Sequence, residues 1–216
     1  VAAGGEPQDL SAVAWPLRTP RLLIRPARAD DVAATYAYRR LPEVHHWITY
    51  AGEDPDDYAA RWVPPGRLTR TLVVELAGTD HGSAGSGGSD SSDGRGTTVV
   101  GDLMVSVDDA WGQSEVAERA AGTVAELGWA FDPAHTGRGL ATEAVGELVR
   151  ACFEDLGLRR VVASCFAANT ASWRLMERLG MRREVATVRD SLHRSGEWLD
   201  GVGYALLAEE WRARRA

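Results

Sequence analysis

The chain has 216 residues, 24 basic and 31 acidic, for a net charge of −7, a length that suits one large domain or two small ones. Excess acid argues against nucleic acid as the default partner, since phosphate binding needs a basic surface, and is compatible with a cationic partner, with solubility alone as the alternative. All 24 basic residues are arginine, which excludes Schiff-base chemistry, a P-loop lysine and a lysine general base.

Residues 1–16, VAAGGEPQDLSAVAWP, read as a loose leader without the apolar core of a signal peptide. No apolar run approaches the roughly 18 residues of a membrane span. A strand follows in PRLLIRP, then a helix whose start carries Asp30 and Asp31, where negative charge suits the N-terminal dipole. After an acidic loop with Glu53, Asp54, Asp56 and Asp57, a second helix runs from about Pro55 to Val63. RTLVVEL is a strand, and GTDHGSAGSGGSDSSDGRG after it has no large apolar side chain to bury. Residues 82–96 are therefore expected to be a flexible loop in a long hairpin, with a linker between two domains as the alternative.

Strand resumes in TTVVGDLMVSV and TVAELGWAF. From Leu140 the apolar positions 140, 144, 145, 148, 149, 152, 153 and 156 follow a helical period. RRVVASCF is a continuous apolar strand of the kind buried on both faces. NTASWRLMERLG is a helix with Asn169 as N-cap and Gly180 at its C-terminal end. Two strand-like segments, about 182–189 and 197–207, and a short EEWRARRA close the chain. Cys152 and Cys165 sit among apolar residues without CxxC spacing or a nearby histidine, so they read as buried thiols in a reducing cytoplasm. The sum is a mixed α/β (α+β) domain, with a central sheet of about six or seven strands and flanking helices.

The segment FDPAHTGRGLATEA joins a strand to a helix through two glycines. It is neither GxxxxGK[ST] nor the three-glycine dinucleotide fingerprint. The physics is the same, because glycine admits a ligand close to the backbone and the first turn of a helix offers free N–H groups to an anion. The amides of Gly137, Arg138, Gly139, Leu140 and Ala141 are the candidates, and a plain strand-to-helix turn is the alternative.

Here the sequence resembles the GNAT family of acyl-CoA N-acyltransferases, whose pyrophosphate loop has the pattern Q/R-x-x-G-x-G/A. AHTGRG matches both glycines but begins with Ala134. That departure, with TPRLLIRPARADD, AELGWAFDPAHTGRGLATEA, ANTASWRLMERLGM and GEWLDGVGYALLAEEW, is similar to the RimJ/RimL-type branch that acetylates N-terminal alanines of ribosomal proteins. The resemblance covers about residues 17–211 and implies one acyltransferase domain over residues 17–216, acetyl-CoA as cosubstrate, no metal and an amine acceptor. It places the coenzyme along Leu127, Gly128, Trp129, His135, Thr136, Gly137 to Ala141, Asn169 and Ser172.

N-acylation needs a neutral amine, and a glutamate serves as base where burial lifts its pKa toward neutrality. Glu126, on one strand face with Val124, Gly128 and Ala130, is the candidate, with a solvent-facing edge glutamate as the alternative. The resemblance sets Ser172 near the departing sulfur, in place of the tyrosine many family members use. His45, His46, Trp47 and Tyr50 fall where the family builds its acceptor wall, and Asp200 matches an acidic position that binds substrate or holds a turn. A lone His-His pair is a poor zinc site. The expected partner is a protein N-terminus or a small amine, with neither nucleic acid nor membrane, for a monomer or homodimer. A non-catalytic acyl-CoA-binding module and an aminoglycoside or polyamine acetyltransferase remain as alternatives.

Overall fold

The apolar period that starts at Leu140 is realised in one helix, Leu140–Glu154, which buries Leu140, Ala144, Val145, Leu148, Val149, Cys152 and Phe153. In the computed structural model, which describes residues 9–50, 52–78 and 98–215, this helix lies across a single sheet. The strands are β1 (Leu17–Arg18), β2 (Leu22–Pro26), β3 (Thr71–Leu76), β4 (Val99–Asp108), β5 (Val124–Phe131), β6 (Arg160–Phe166), β7 (Arg182–Leu192) and β8 (Trp198–Leu207). The helices are α1 (Val32–Arg39), α2 (Pro42–His45), α3 (Pro55–Trp62), α4 (Pro65–Leu68), α5 (Leu140–Glu154), α6 (Thr170–Arg178) and α7 (Ala208–Ala213).

Among the described residues eight strands run in the order β1-β2-β3-β4-β5-β6-β8-β7, one more than the sequence pattern shows. The extra strand, β1, has two residues, too few for an alternation to register. Every neighbouring pair is antiparallel except β5 and β6, which are parallel and are joined by the α5 crossover. β3 and β4 are adjacent and antiparallel, the pairing a hairpin requires, and the expected 82–96 loop between them lies outside the described residues.

The two sheet faces carry different cores. Leu22, Leu103, Ala125, Leu127, Val161 and Ala163 join α5, Leu175 and Met176 in the larger one. On the other face Tyr38 and Val44 meet Ala130, while Tyr58 and Trp62 meet Val73. Residues 1–8 lie outside the described residues, and the rest of the expected loose leader is packed: Leu10 and Val13 are buried in the larger core. Two isolated apolar side chains in a polar segment carry no period, so only the completed core shows what they cover.

The acidic residues at helix starts have specific partners. Asp54 caps α3 by accepting from the Asp56 and Asp57 N–H groups. Asp31 is buried and accepts from Arg25 (2.6 and 2.8 Å) and from the Arg28 amide, while Arg25 also reaches Glu75. Burial opposes the Asp31 charge, yet the hydrogen bonds from Arg25 and Arg28 outweigh it and its pKa is lowered.

Phe153 is 2% exposed and meets the Trp211 ring of α7 at 5.7 Å. Phe153→Ala is expected to destabilise the protein by about 3–5 kcal/mol, through lost burial and a residual cavity. Chemical denaturation of the two proteins measures it, and a loss below about 1 kcal/mol would show that the site collapses freely.

Candidate active site

β5 and β6 pair over three positions only, Val124↔Arg160, Ala125↔Val161 and Glu126↔Val162. Beyond them each strand stays with its outer partner, β5 with β4 as far as Phe131↔Gly101 and β6 with β8 as far as Phe166↔Gly201. The sheet therefore splits into two halves that twist apart, and the facing edges of residues 127–131 and 163–166 have no strand partner. A cavity of about 530 Å³ occupies the split. Its walls include Leu127, Gly128, Trp129, Ser164, Cys165 and Phe166 from the open edges.

This cavity corrects one expectation. β6 was expected to be buried on both faces, but only Val161 and Ala163 are fully covered. Ser164 is exposed, and Val162 and Phe166 are half-buried. The continuous apolar run marks a strand that borders a ligand-sized opening, which periodicity cannot distinguish from burial in protein.

At the end of β5 the chain makes the glycine turn. Gly137 and Gly139 adopt φ of +75° and +76°, the left-handed region that L side chains avoid. Gly139 is the N-cap of α5 with no side-chain cap bond, and the first amide of the helix bonded inside it is Glu143 N–H to Gly139 O (3.0 Å). The amides of Leu140, Ala141 and Thr142 are thus the free donors of an anion-binding helix end. A Cβ on Gly137 would meet nothing within 4 Å, so that face of the turn is open.

The sequence reading missed the brace behind this turn. Arg21 donates to the Arg138 carbonyl (2.8 Å) and pairs with Glu143 (2.5 Å), which also accepts from Thr19 Oγ1 (2.6 Å). Burial acts to raise the Glu143 pKa, but the Thr19 and Arg21 hydrogen bonds prevail and lower it. TPRL in β1–β2 and Glu143 in α5 are far apart in sequence, and no local pattern links them.

Glu126 and Ser172 line the same cavity. Among the described residues no hydrogen bond or ion pair engages the Glu126 carboxylate or the Ser172 hydroxyl, so both are free to act on a ligand. Asn169 caps α6 through Oδ1 to the Ser172 amide (3.3 Å) and also borders the cavity. Cys165 lies on the wall too, but burial pushes its thiol up to about 11, so it is not a thiolate at neutral pH.

The acceptor-wall candidates separate. Trp47 lines the cavity together with Ile48 and Thr49. His45 faces Arg194, whose neighbouring charge adds to burial in lowering the histidine pKa. The His46 ring stacks edge-on against Trp47 and His193, and its carbonyl accepts from His193 Nε2 (2.9 Å). Tyr50 is outside the cavity, with its hydroxyl on Asp57 and its ring under Arg61. Asp200 accepts from the Arg189 amide (2.9 Å) in a β7 irregularity, and Arg189 has φ of +48° there; this carboxylate holds a turn. His135, Thr136 and Arg138 stand on the turn itself, outside the cavity walls.

A family model for the acetyltransferase (GNAT) domain matches residues 21–182. The uncharacterized N-acetyltransferase YnaD of Bacillus subtilis (strain 168) is 37% identical over 86 residues, covering 40% of this chain and 50% of that protein. The match therefore spans about half the length of the curated relative. A crystal structure of an acetyltransferase (GNAT family) from Bacillus anthracis superposes with a TM-score of 0.68 at 26% identity, covering 90% of this chain and 99% of that one. Mycobacterium smegmatis RimJ in complex with CoA-disulfide gives a TM-score of 0.61 at 23% identity, covering 88% and 83%.

The floor of the cavity rests on a buried ion pair. Arg39 Nη1 holds both oxygens of Asp102 (2.6 and 2.8 Å), and Tyr38 donates to Asp102 Oδ1 (2.5 Å). Burial opposes the Arg39 charge, but Asp102 more than restores it; burial and Asp102 together raise the Tyr38 pKa well above its ordinary value. Asp102→Ala is expected to cost about 3–5 kcal/mol, because it strands a buried guanidinium without its counter-charge. A denaturant midpoint within error of the wild type would show that the pair contributes nothing net.

Proposed function

Because the chain belongs to the GNAT acetyltransferase family, we propose that it moves an acyl group, acetyl in the simplest case, from acyl-CoA to a primary amine. One observation carries this reading. β5 runs from Glu126 along the open side of the β5–β6 split into the left-handed glycine turn that opens α5, and Ser172 of α6 lines the same cavity as Glu126. The pyrophosphate is read onto the amides of residues 137–141, and the amide-bearing arm of the coenzyme onto the open strand edges, where it takes the place of a missing strand partner.

The amine nitrogen attacks the thioester carbon, and the C–S bond breaks as the amide forms. The ammonium proton passes to Glu126, directly or through a water, and the departing sulfur takes a proton beside Ser172. The high Cys165 pKa supports direct transfer over a cysteine-bound intermediate. A cytoplasmic setting belongs to the same proposal, on the two free thiols. The acceptor is a protein N-terminus or a small amine, and thiol release above background hydrolysis in an amine panel separates turnover from mere coenzyme binding.

Gly139→Val places a branched side chain at φ of +76°. It is expected to weaken coenzyme A binding by about tenfold or more, since left-handed strain of about 1–2 kcal/mol must be restored on binding. Unchanged affinity in calorimetry of the folded variant removes the turn from the site. Glu126→Gln keeps the shape and cannot accept the proton; kcat/KM should fall by about 10² to 10⁴ with coenzyme affinity retained. Near-wild-type kcat/KM would refute the role of Glu126.

A further inference from the structure

The cavity has five charged residues in its walls: Arg39, Arg67, Asp102, Glu126 and Asp190. Arg39 and Asp102 neutralise each other. Glu126 is the base of the proposed reaction, and Asp190 bonds Ser191 Oγ (2.9 Å) on the β7 side. Among the described lining residues that leaves one cation outside any ion pair, Arg67 of α4, on which Asp102 acts only at longer range. Among the described residues no hydrogen bond or ion pair reaches its guanidinium, although the residue is half-buried.

The position of Arg67 is fixed by the sheet. α4 runs directly into β3, where Thr71 pairs with Met104 of β4, and Met104 pairs with Gly128 of β5. Two pairs further along β4, Ser106 faces Glu126. α4 therefore enters the sheet toward the Glu126 end of β5, with the Arg67 charge within electrostatic reach of Arg39 and Asp102, and the glycine turn lies past the opposite end of β5. The coenzyme has no phosphate at this end to neutralise it. Burial, with the repulsion of Arg39, pushes the Arg67 pKa down from the ordinary arginine value, so the charge is held there against its own solvation.

We propose that Arg67 binds a carboxylate carried by the acceptor, so that the substrate is a small molecule with a primary amine facing Glu126 and a carboxylate facing Arg67. This rests on the acyltransferase reading above. A guanidinium presents two parallel N–H donors that match the two oxygens of a carboxylate. One unpaired positive charge balances one negative charge, whereas a phosphate dianion would call for a second free cation, and Arg39 is committed to Asp102. The acceptor is small because the hairpin between β7 and β8 is strapped across the α2 loop. His193 Nε2 donates to His46 O (2.9 Å) and Arg194 Nη2 to Ile48 O (2.5 Å), beside the wall residues Trp47 and Phe166.

The test uses acetyl-CoA and matched pairs of α-amino acids and their carboxamides. In the wild type the kcat/KM of the best carboxylate is expected to exceed that of its carboxamide by about 10- to 100-fold, the effect of one charge-assisted hydrogen bond. Arg67→Gln should bring this ratio close to one, and Arg67→Lys should keep part of it. A wild-type ratio near one, a ratio that survives Arg67→Gln, or a preference for peptides over free amino acids overturns the proposal. If no amine is acetylated, the activity itself falls, and binding still decides on Arg67. N-acetylalanine should then bind the protein–CoA complex about tenfold more tightly than N-acetylalaninamide, with the difference lost in Arg67→Gln; equal binding rejects the site.

Discussion

The parallel ladder between β5 and β6 ends after Glu126 and Val162, and the rest of the molecule is arranged around that short seam. Two half-sheets, each stitched internally by longer antiparallel ladders, cannot follow a common twist once the joining bonds stop. The seam has to be short for an opening to exist and has to be braced for the opening to keep its width. α5 supplies the brace, because its apolar face covers Ala125 and Leu127 of one half and Val161 and Ala163 of the other. The crossover that makes β5 and β6 parallel is thus also the clamp that holds them together.

The same crossover explains why a turn with two left-handed glycines stands at the mouth of the split. A chain leaving a parallel strand for its crossover helix must turn back at once, and the free amides of that helix then lie above the open strand edges. Arg21 and Glu143 fix the turn to β2, so its donors are aimed before any ligand arrives. An anion site built from backbone amides needs no lysine, which is consistent with a chain that has none.

On the opposite sheet face, polar groups sit where an apolar core would have been more stable. Asp102, Arg39 and Tyr38 are buried together, and Arg67 remains half-buried with no hydrogen bond or ion pair among the described residues. The Arg39–Asp102 pair spends its charges internally and shapes the floor. The uneven count of charge that remains is what a substrate can answer, since unpaired charge in a partly desolvated site is unfavourable until a ligand supplies its complement.

Much of the fold was legible in the residues. The 3.6 period of α5, the Asn169 cap, the strand alternation and the paired glycines each report on a few neighbouring positions, and local physics determines them. The roles proposed for Glu126 and Ser172 came from their places beside those motifs and from the family resemblance. What the sequence could not contain was distance between segments remote along the chain. Arg67 in a helix of four residues, Asp102 on a neighbouring strand and Arg21 behind the glycine turn carry no periodic or motif signal. Conversely, Tyr50, His45 and Asp200 were plausible by position, yet their side chains turn to Asp57, Arg194 and the Arg189 amide. The sequence by itself determined the longer elements, their order and the two-glycine turn that opens α5, because each depends on backbone preferences within a few residues. Only the tertiary structure decided which charges are spent on one another and which face the cavity, because electrostatic pairing depends on separations that the closing of the sheet creates.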